Sequence, residues 1–292
     1  MKRFILILIL LALTLAGCAA QPSADIAATT APVYQFTSAL CEGTGLAVTQ
    51  LVTENISCLH EYSLSVRQVK AVESAGLVVL SGGGLEDFMA DVLEGKQCID
   101  SSEGISMLES CHGHDHGHDD HSHEQEHEHD PHFWLSPESA KQMAQNICEG
   151  LKAQFPAHAD TFSKNLQTLS GKFDDLQAYG QQQLAELSCR ELITFHDGFS
   201  YFAHSFGLEI LRAVEEESGS EASASELKEL ILLVQDHSLS AIFTEVNGSV
   251  SAAGIIAAET GAGIFRLSMA MGDTDYFEAM YQNIDTLKEA LG

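Results

Sequence analysis

Basic side chains are what this chain has least of. Only 14 Lys and Arg stand against 42 Asp and Glu, giving a formal charge of −28. So acidic a chain argues against nucleic acid as a partner and suits the capture of cations. No Cys-x-x-Cys pair occurs, which counts against a cysteine-rich zinc knuckle. Outside the histidine-rich run described below no His-Glu-x-x-His occurs either, so no motif in the rest of the chain pairs metal ligands with a general base as in a metalloprotease. The apolar run at residues 4–16 is too short and wrongly flanked to be a stable membrane-spanning helix.

What the chain does have is histidine, concentrated in one place. His112, His114, His116, His118, His121, His123, His127 and His129 account for eight of its 14 histidines. Eight carboxylates alternate with them over residues 109–130, and no Lys or Arg occurs over residues 97–140. Neutral imidazole and carboxylate suit borderline divalent cations such as zinc better than hard magnesium or calcium. The run has nothing apolar to bury and no helical or strand period, so it reads as a solvated loop at 111–130. A purification-type tag would sit at a terminus, whereas this insert interrupts a folded region. A coil of many histidines makes weak, interchangeable contacts. It gathers metal, and the specific site lies elsewhere.

The first residues read as a targeting segment. Lys2 and Arg3 precede the apolar run, and Leu15-Ala16-Gly17-Cys18 resembles a bacterial lipobox. That makes 1–17 a lipoprotein signal peptide and Cys18 the lipidated first residue of a protein anchored outside the cytoplasmic membrane. Residues 18–30 read as a small, polar tether. The six remaining cysteines allow fifteen connectivities, of which Cys98 with Cys111 would close the base of the His-rich loop.

Beyond the tether, short apolar runs alternate with amphipathic segments. A first βα lobe spans 31–155. Within it Ser136-Pro137 marks a cap and first-turn proline for a helix that Pro156 ends. Residues 156–188 show no strand signal, while Phe162, Leu166, Leu169, Phe173, Leu176 and Leu184 recur at helical spacing. That predicts a long linking helix despite Gly171 and Gly180. A second βα lobe spans 189–292, with Ser223 and Glu226 forming a capping box. The expectation is an α/β protein of two lobes joined by one long helix. A metal site belongs in the cleft between them, beyond the carboxyl ends of the strands.

Three histidines outside the loop fall where such a site needs them. His60 follows the strand ending near Val52, His132 ends the His-rich insert, and His196 caps the apolar strand at 192–195. Tetrahedral zinc takes nitrogen donors of this kind, usually with a fourth ligand. His158, His204 and His237 read as structural or solvated.

At these residues the chain resembles a known family. His60-Glu61-Tyr62 and Gly82-Gly83-Gly84-Leu85-Glu86 look like its "PHxYxxxPxD … GxGLE" region. Residues 130–137, DPHFWLSP, resemble "DPHxWLxP". Residues 195–208 resemble "HDAFxYFxxxYGL", and Phe243-Thr244-Glu245 resembles "IFxE". The family is that of the zinc- and manganese-specific solute-binding lipoproteins of ABC transporters (cluster A-I, ZnuA-like), and the resemblance covers about residues 29–291. It implies two βα lobes bridged by a rigid helix, with one metal held by His60, His132 and His196. In the manganese-selective branch the third position is usually a carboxylate, so nitrogen at all three favours Zn(II).

Three departures stand out. Leu59 replaces the proline before the first ligand, and Val66 and Gln68 replace the "PxD". Ser268, in Leu267-Ser268-Met269-Ala270, stands where the family's last ligand is an aspartate. The fourth ligand is therefore left open among water, a loop histidine, Glu61, Glu245 and Asp273. Glu86 and Glu245 read as structural, each accepting backbone N–H bonds at a strand end.

The resemblance implies a monomeric, lipid-anchored, extracytoplasmic component of a metal importer. It would capture Zn(II) and deliver it to an ABC permease and its ATPase, without enzymatic activity. The alternatives are Mn(II) or Ni(II) in the same role, a secreted zinc hydrolase, and a surface metal buffer or adhesin.

Overall fold

The computed structural model describes residues 25–54, 59, 62–109, 129–215 and 222–292. The signal segment with Cys18, then Cys58, His60, Glu61, Cys111 and the histidines from His112 to His127 lie outside the described residues. No described helix is long and apolar enough to cross a membrane.

Two four-stranded, all-parallel sheets make the two lobes. The first contains β1 (Ile26–Ala28), β2 (Val48–Gln50), β3 (Leu77–Leu80) and β4 (Cys98–Asp100), in the order β2-β1-β3-β4. The second contains β5 (Glu191–His196), β6 (Glu209–Glu215), β7 (Ala241–Glu245) and β8 (Gly263–Leu267), in the order β6-β5-β7-β8. In each sheet the chain steps to one side and then returns to build on the other. The switch falls between β1 and β3 in the first lobe and between β5 and β7 in the second.

Around the sheets pack α1 (Ala31–Cys41), α2 (Val66–Ser74), α3 (Ala90–Leu93), α4 (Pro137–Gln154), α5 (Ala159–Gln183), α6 (Ser200–Phe206), α7 (Ala224–Asp236), α8 (Ser251–Thr260) and α9 (Tyr276–Leu291). Local signals set several of these boundaries. Ser136 accepts from the Ser139 N–H with Pro137 in the first turn of α4, and Ser65–Gln68 and Ser223–Glu226 both close capping boxes.

Strand residues alternate between two apolar layers, as a pleat with period two requires. Ile26, Ala28, Leu77, Val79, Leu192 and Phe243 enter a core that runs continuously through both lobes. Ala27 and Val78 enter an outer layer in the first lobe, and Ile193, Phe195 and Ile242 do so in the second. The shared core is stitched by aromatic edges: Phe36 of α1 meets Phe173 of α5 at 5.2 Å and Tyr276 of α9 at 4.9 Å. Buried polar bonds join the same elements. The Tyr276 hydroxyl donates to the Trp134 carbonyl at 2.7 Å, and the Trp134 indole donates to the Met269 carbonyl at 2.8 Å.

Two expectations are corrected here. The tether does not reach residue 30, because Ile26–Ala28 is fully buried and is an inner strand flanked by β2 and β3. Its three residues, two of them alanine, carry almost no strand propensity, and their position between neighbours sets their conformation. Cys98 is a free thiol, as are Cys41, Cys148 and Cys189, so it does not link to Cys111.

Candidate metal centre

The carboxyl ends of β5 and β7 bring His196 and Glu245 to the second lobe's switch point, where each is the last residue of its strand. His132 arrives there from the first half of the chain, on the residue before the short helical turn Phe133–Leu135. Both imidazoles are buried, at 0% and 2% exposure. Their rings stand nearly perpendicular, with centroids 5.1 Å apart and the two Nε2 atoms 3.4 Å apart.

The proton on each ring follows from its other partner. Asp130 Oδ1 lies 2.8 Å from His132 Nδ1 and also accepts the His132 backbone N–H at 2.8 Å. Burial pushes the Asp130 carboxyl up, but its bonds to and charge interaction with His132, together with a bond from Ser200, outweigh that and hold it below the usual range. Asp130 is thus ionised and accepts only, so Nδ1 of His132 carries the proton and Nε2 presents a lone pair. Glu245 Oε1 lies 3.3 Å from His196 Nδ1 and biases that ring the same way, although neither atom completes a well-directed hydrogen bond. Two lone pairs facing each other at 3.4 Å repel unless a cation sits between them. Nitrogens ~2.0–2.1 Å from one tetrahedral ion stand about 3.3–3.4 Å apart, so the spacing fits zinc.

Gly198 makes the approach possible. A Cβ there would lie 2.8 Å from His196 Cδ2 and 3.0 Å from His132 Nδ1, closer than packing tolerates. Trp134 packs edge-on against His132 at 5.2 Å. Among the described residues no group of three or more His, Cys, Asp or Glu is placed to hold a metal ion.

The family model described as "Zinc-uptake complex component A periplasmic" (ZnuA) matches residues 26–290. The chain belongs to that family. Among curated members of the ZnuA family, it is 29% identical over 307 residues to the zinc-binding lipoprotein AdcA of Streptococcus pneumoniae strain R6, covering 99% of this chain and 61% of that one. It thus spans about three fifths of the length of the AdcA relatives. It is 28% identical to the high-affinity zinc uptake system protein ZnuA of Bacillus subtilis strain 168, covering 89% and 85% of the two chains. A crystal structure of ZnuA superposes with a TM-score of 0.80 at 29% identity, covering 92% of this chain and all of that one. The two parallel-sheet lobes with a long helix between them are those of the ZnuA fold.

Of the residues expected at the site, the structure brings His132 and His196 together. His60, Glu61 and seven of the eight loop histidines lie outside the described residues. His129, the eighth, is exposed and pairs with Glu109 in an antiparallel bridge. The next residue reinforces this closure, Asp130 N–H donating to Leu108 O at 2.9 Å. The base of the His-rich insert is therefore closed two residues before His132. His158 and His204 stay away from the centre, and His237 pairs with Glu191 at 2.9 Å.

Ser268 is tied into its own turn. Its hydroxyl accepts the Ala270 N–H at 3.1 Å, and Asn283 brackets its backbone from both sides. Glu86 behaves as expected, accepting from Ser81 N–H, Gly82 N–H and the Thr29 hydroxyl at the first lobe's switch point. Glu245 does not: it turns to His196 instead of capping a strand end. The roles of Asp130 and Glu245 as imidazole partners went unread in the sequence. A carboxylate two residues before His132 was the available signal for the first. The pairing of Glu245 with His196 spans 49 positions and left no local trace.

Proposed function

We propose that this chain is the extracytoplasmic solute-binding component of an ABC importer, capturing Zn(II) between its lobes and handing it to a membrane permease. The observation that carries the reading is the 3.4 Å spacing of two buried Nε2 atoms, with a carboxylate at each Nδ1. His60 supplies the third nitrogen, as the family resemblance implies, and water or a loop histidine the fourth position. The names of the AdcA and ZnuA relatives support zinc as the cargo. All-nitrogen donors favour it over manganese, which prefers oxygen.

The histidines from His112 to His129 raise the local zinc concentration beside the centre. Lipidation of Cys18 anchors the protein, as a monomer, on the outer side of the cytoplasmic membrane, within reach of the permease and its ATPase. The chain is a binding protein and not a zinc hydrolase. Asp130 is committed to the Nδ1 atom of His132, and Glu245 faces that of His196, which argues against either as a general base.

Calorimetric zinc titration of wild type, His60→Ala and His132→Ala tests the reading. Wild type is expected to show one tight phase above several weak ones, and each variant to lose the tight phase. Survival of that phase in both variants rules the site out. Binding needs neutral imidazole, so the tight phase weakens as pH falls through about 6.5.

A further inference from the structure

Resting on that zinc-site reading, we propose that Tyr201 is a positioning residue, whose hydroxyl holds Leu108 and through it the Asp130 carboxylate that orients His132. The two imidazoles come from different lobes, so their 3.4 Å spacing needs a register fixed across the boundary between the lobes. His196 ends β5, and α6 starts four residues later at Ser200. Tyr201, the second residue of α6, is 4% exposed, and that short buried connection sets its place relative to His196. His132 has no such covalent tie to the second lobe and must be held there by contacts.

The link runs through successive hydrogen bonds. Leu108 N–H donates to the Tyr201 hydroxyl at 2.9 Å, and Leu108 O accepts the Asp130 N–H at 2.9 Å. Asp130 Oδ1 in turn accepts both the Nδ1 proton and the backbone N–H of His132. The hydroxyl's own proton points to Met107 Sδ at 3.8 Å, a weak acceptor, so the oxygen serves mainly to receive the Leu108 N–H. Ser200, its neighbour on α6, bonds Asp130 as well. Two successive residues of α6 thus hold Asp130, one through its backbone and the other through its carboxylate. The Tyr201 ring packs edge-on against Phe133 with centroids 6.0 Å apart, which keeps the hydroxyl in place. Packing belongs to the ring alone, whereas only the hydroxyl reaches the base of the insert. A shift of Asp130 would loosen both bonds to His132 at once, because they share one oxygen.

The test is calorimetric zinc titration of the full chain as wild type, Tyr201→Phe, Asp130→Asn and the double variant, with thermal melts to check folding. Phenylalanine keeps the ring and removes the hydroxyl. It is expected to weaken the tight phase by about three- to tenfold, less than loss of the Asp130 carboxylate itself. In the Asp130→Asn background the same change is expected to cost less than about twofold, because the hydroxyl acts through that carboxylate. The His132 Nδ1–H resonance of the zinc-loaded protein is expected to move in Tyr201→Phe, which a role in packing alone would not cause. A tight phase within about twofold of wild type in Tyr201→Phe overturns the inference. So does an equal loss in both backgrounds, or an unmoved His132 resonance. If Tyr201→Phe does not fold, amide hydrogen exchange of wild type decides. By reciprocity, zinc is expected to slow exchange at Leu108 by about threefold or more relative to Ser101, whose N–H bonds Leu80 O in the same lobe. Equal slowing at the two amides overturns the inference. Wild type showing no tight zinc phase would instead overturn the zinc-site reading.

Discussion

At the scale of single residues, the proposed centre depends on carboxylates that flank its imidazoles. Asp130 orients His132 through two bonds of 2.8 Å from one carboxylate oxygen, and Glu245 flanks His196 at 3.3 Å. Partners of this kind fix the tautomer and raise the basicity of the ligand, and losing one typically lowers metal affinity 10–100-fold. Asp130→Asn is expected to fall within that range, since an amide flipped to accept one bond presents its NH₂ to the other side of a buried site. Glu245→Gln is expected to cost less, about tenfold, because its contact with His196 is poorly directed. Calorimetry with zinc separates the two; equal, negligible losses would mean the imidazoles are positioned by packing alone. Asp130 sits in sequence two places from the histidine it serves, so it was legible there to anyone asking what holds that ring. His196 and Glu245 meet because neighbouring parallel strands end together, which only the sheet order reveals.

Among the elements, the long helix α5 carries the clearest contrast between propensity and packing. It runs over Ala159–Gln183 with glycine at 171 and 180, and helical spacing alone cannot tell the two apart. Nothing lies within 4 Å of a Cβ built on Gly171, whereas one built on Gly180 lies 2.2 Å from the buried Phe206 ring. Gly171→Ala is expected to stabilise the protein by about 0.5–1 kcal/mol, the ordinary helix-propensity gain. Gly180→Ala gains the same term but must displace a ring packed against Phe202, and is expected to destabilise by a net ~1–3 kcal/mol. Chemical denaturation of both variants checks the pair, and a Gly180→Ala protein as stable as Gly171→Ala would show that Phe206 yields freely. The same distinction explains which elements could be read in advance. Helices announced by caps, such as those starting after Ser136 and Ser223, were legible because the signal is local. Strands β1 and β4, three residues each, were missed because they become strands through pairing with β3.

For the whole molecule, the two switch points have gone different ways, and this has consequences for pH and for metal supply. In the first lobe the Glu86 carboxyl fills the point itself, fully buried and bonded to Thr29, Ser81 and Gly82. Burial raises its pKa despite those bonds. A carboxyl raised in the native state binds more protons there than in the unfolded chain, so it costs stability as pH climbs from the ordinary carboxylate range through its native pKa. Thermal melts of metal-free wild type and Glu86→Gln across pH are expected to differ in slope over that window, the variant being flatter; parallel curves would mean the carboxyl is not titrating. In the second lobe the point is left to His196, and the first lobe delivers His132 to it three residues beyond the bridge that closes the His-rich insert. Because Glu109 pairs with His129 and Asp130 with Leu108, the insert hangs from a closed base. Removing residues 113–128 should therefore leave His132 in place. The deletion variant is expected to keep the single tight zinc phase within about threefold and to lose the weak ones, since a gathering loop adds local concentration and not ligands. If the tight phase vanished with the loop, a loop histidine would be a ligand, and the fourth position would be assigned to it in place of water.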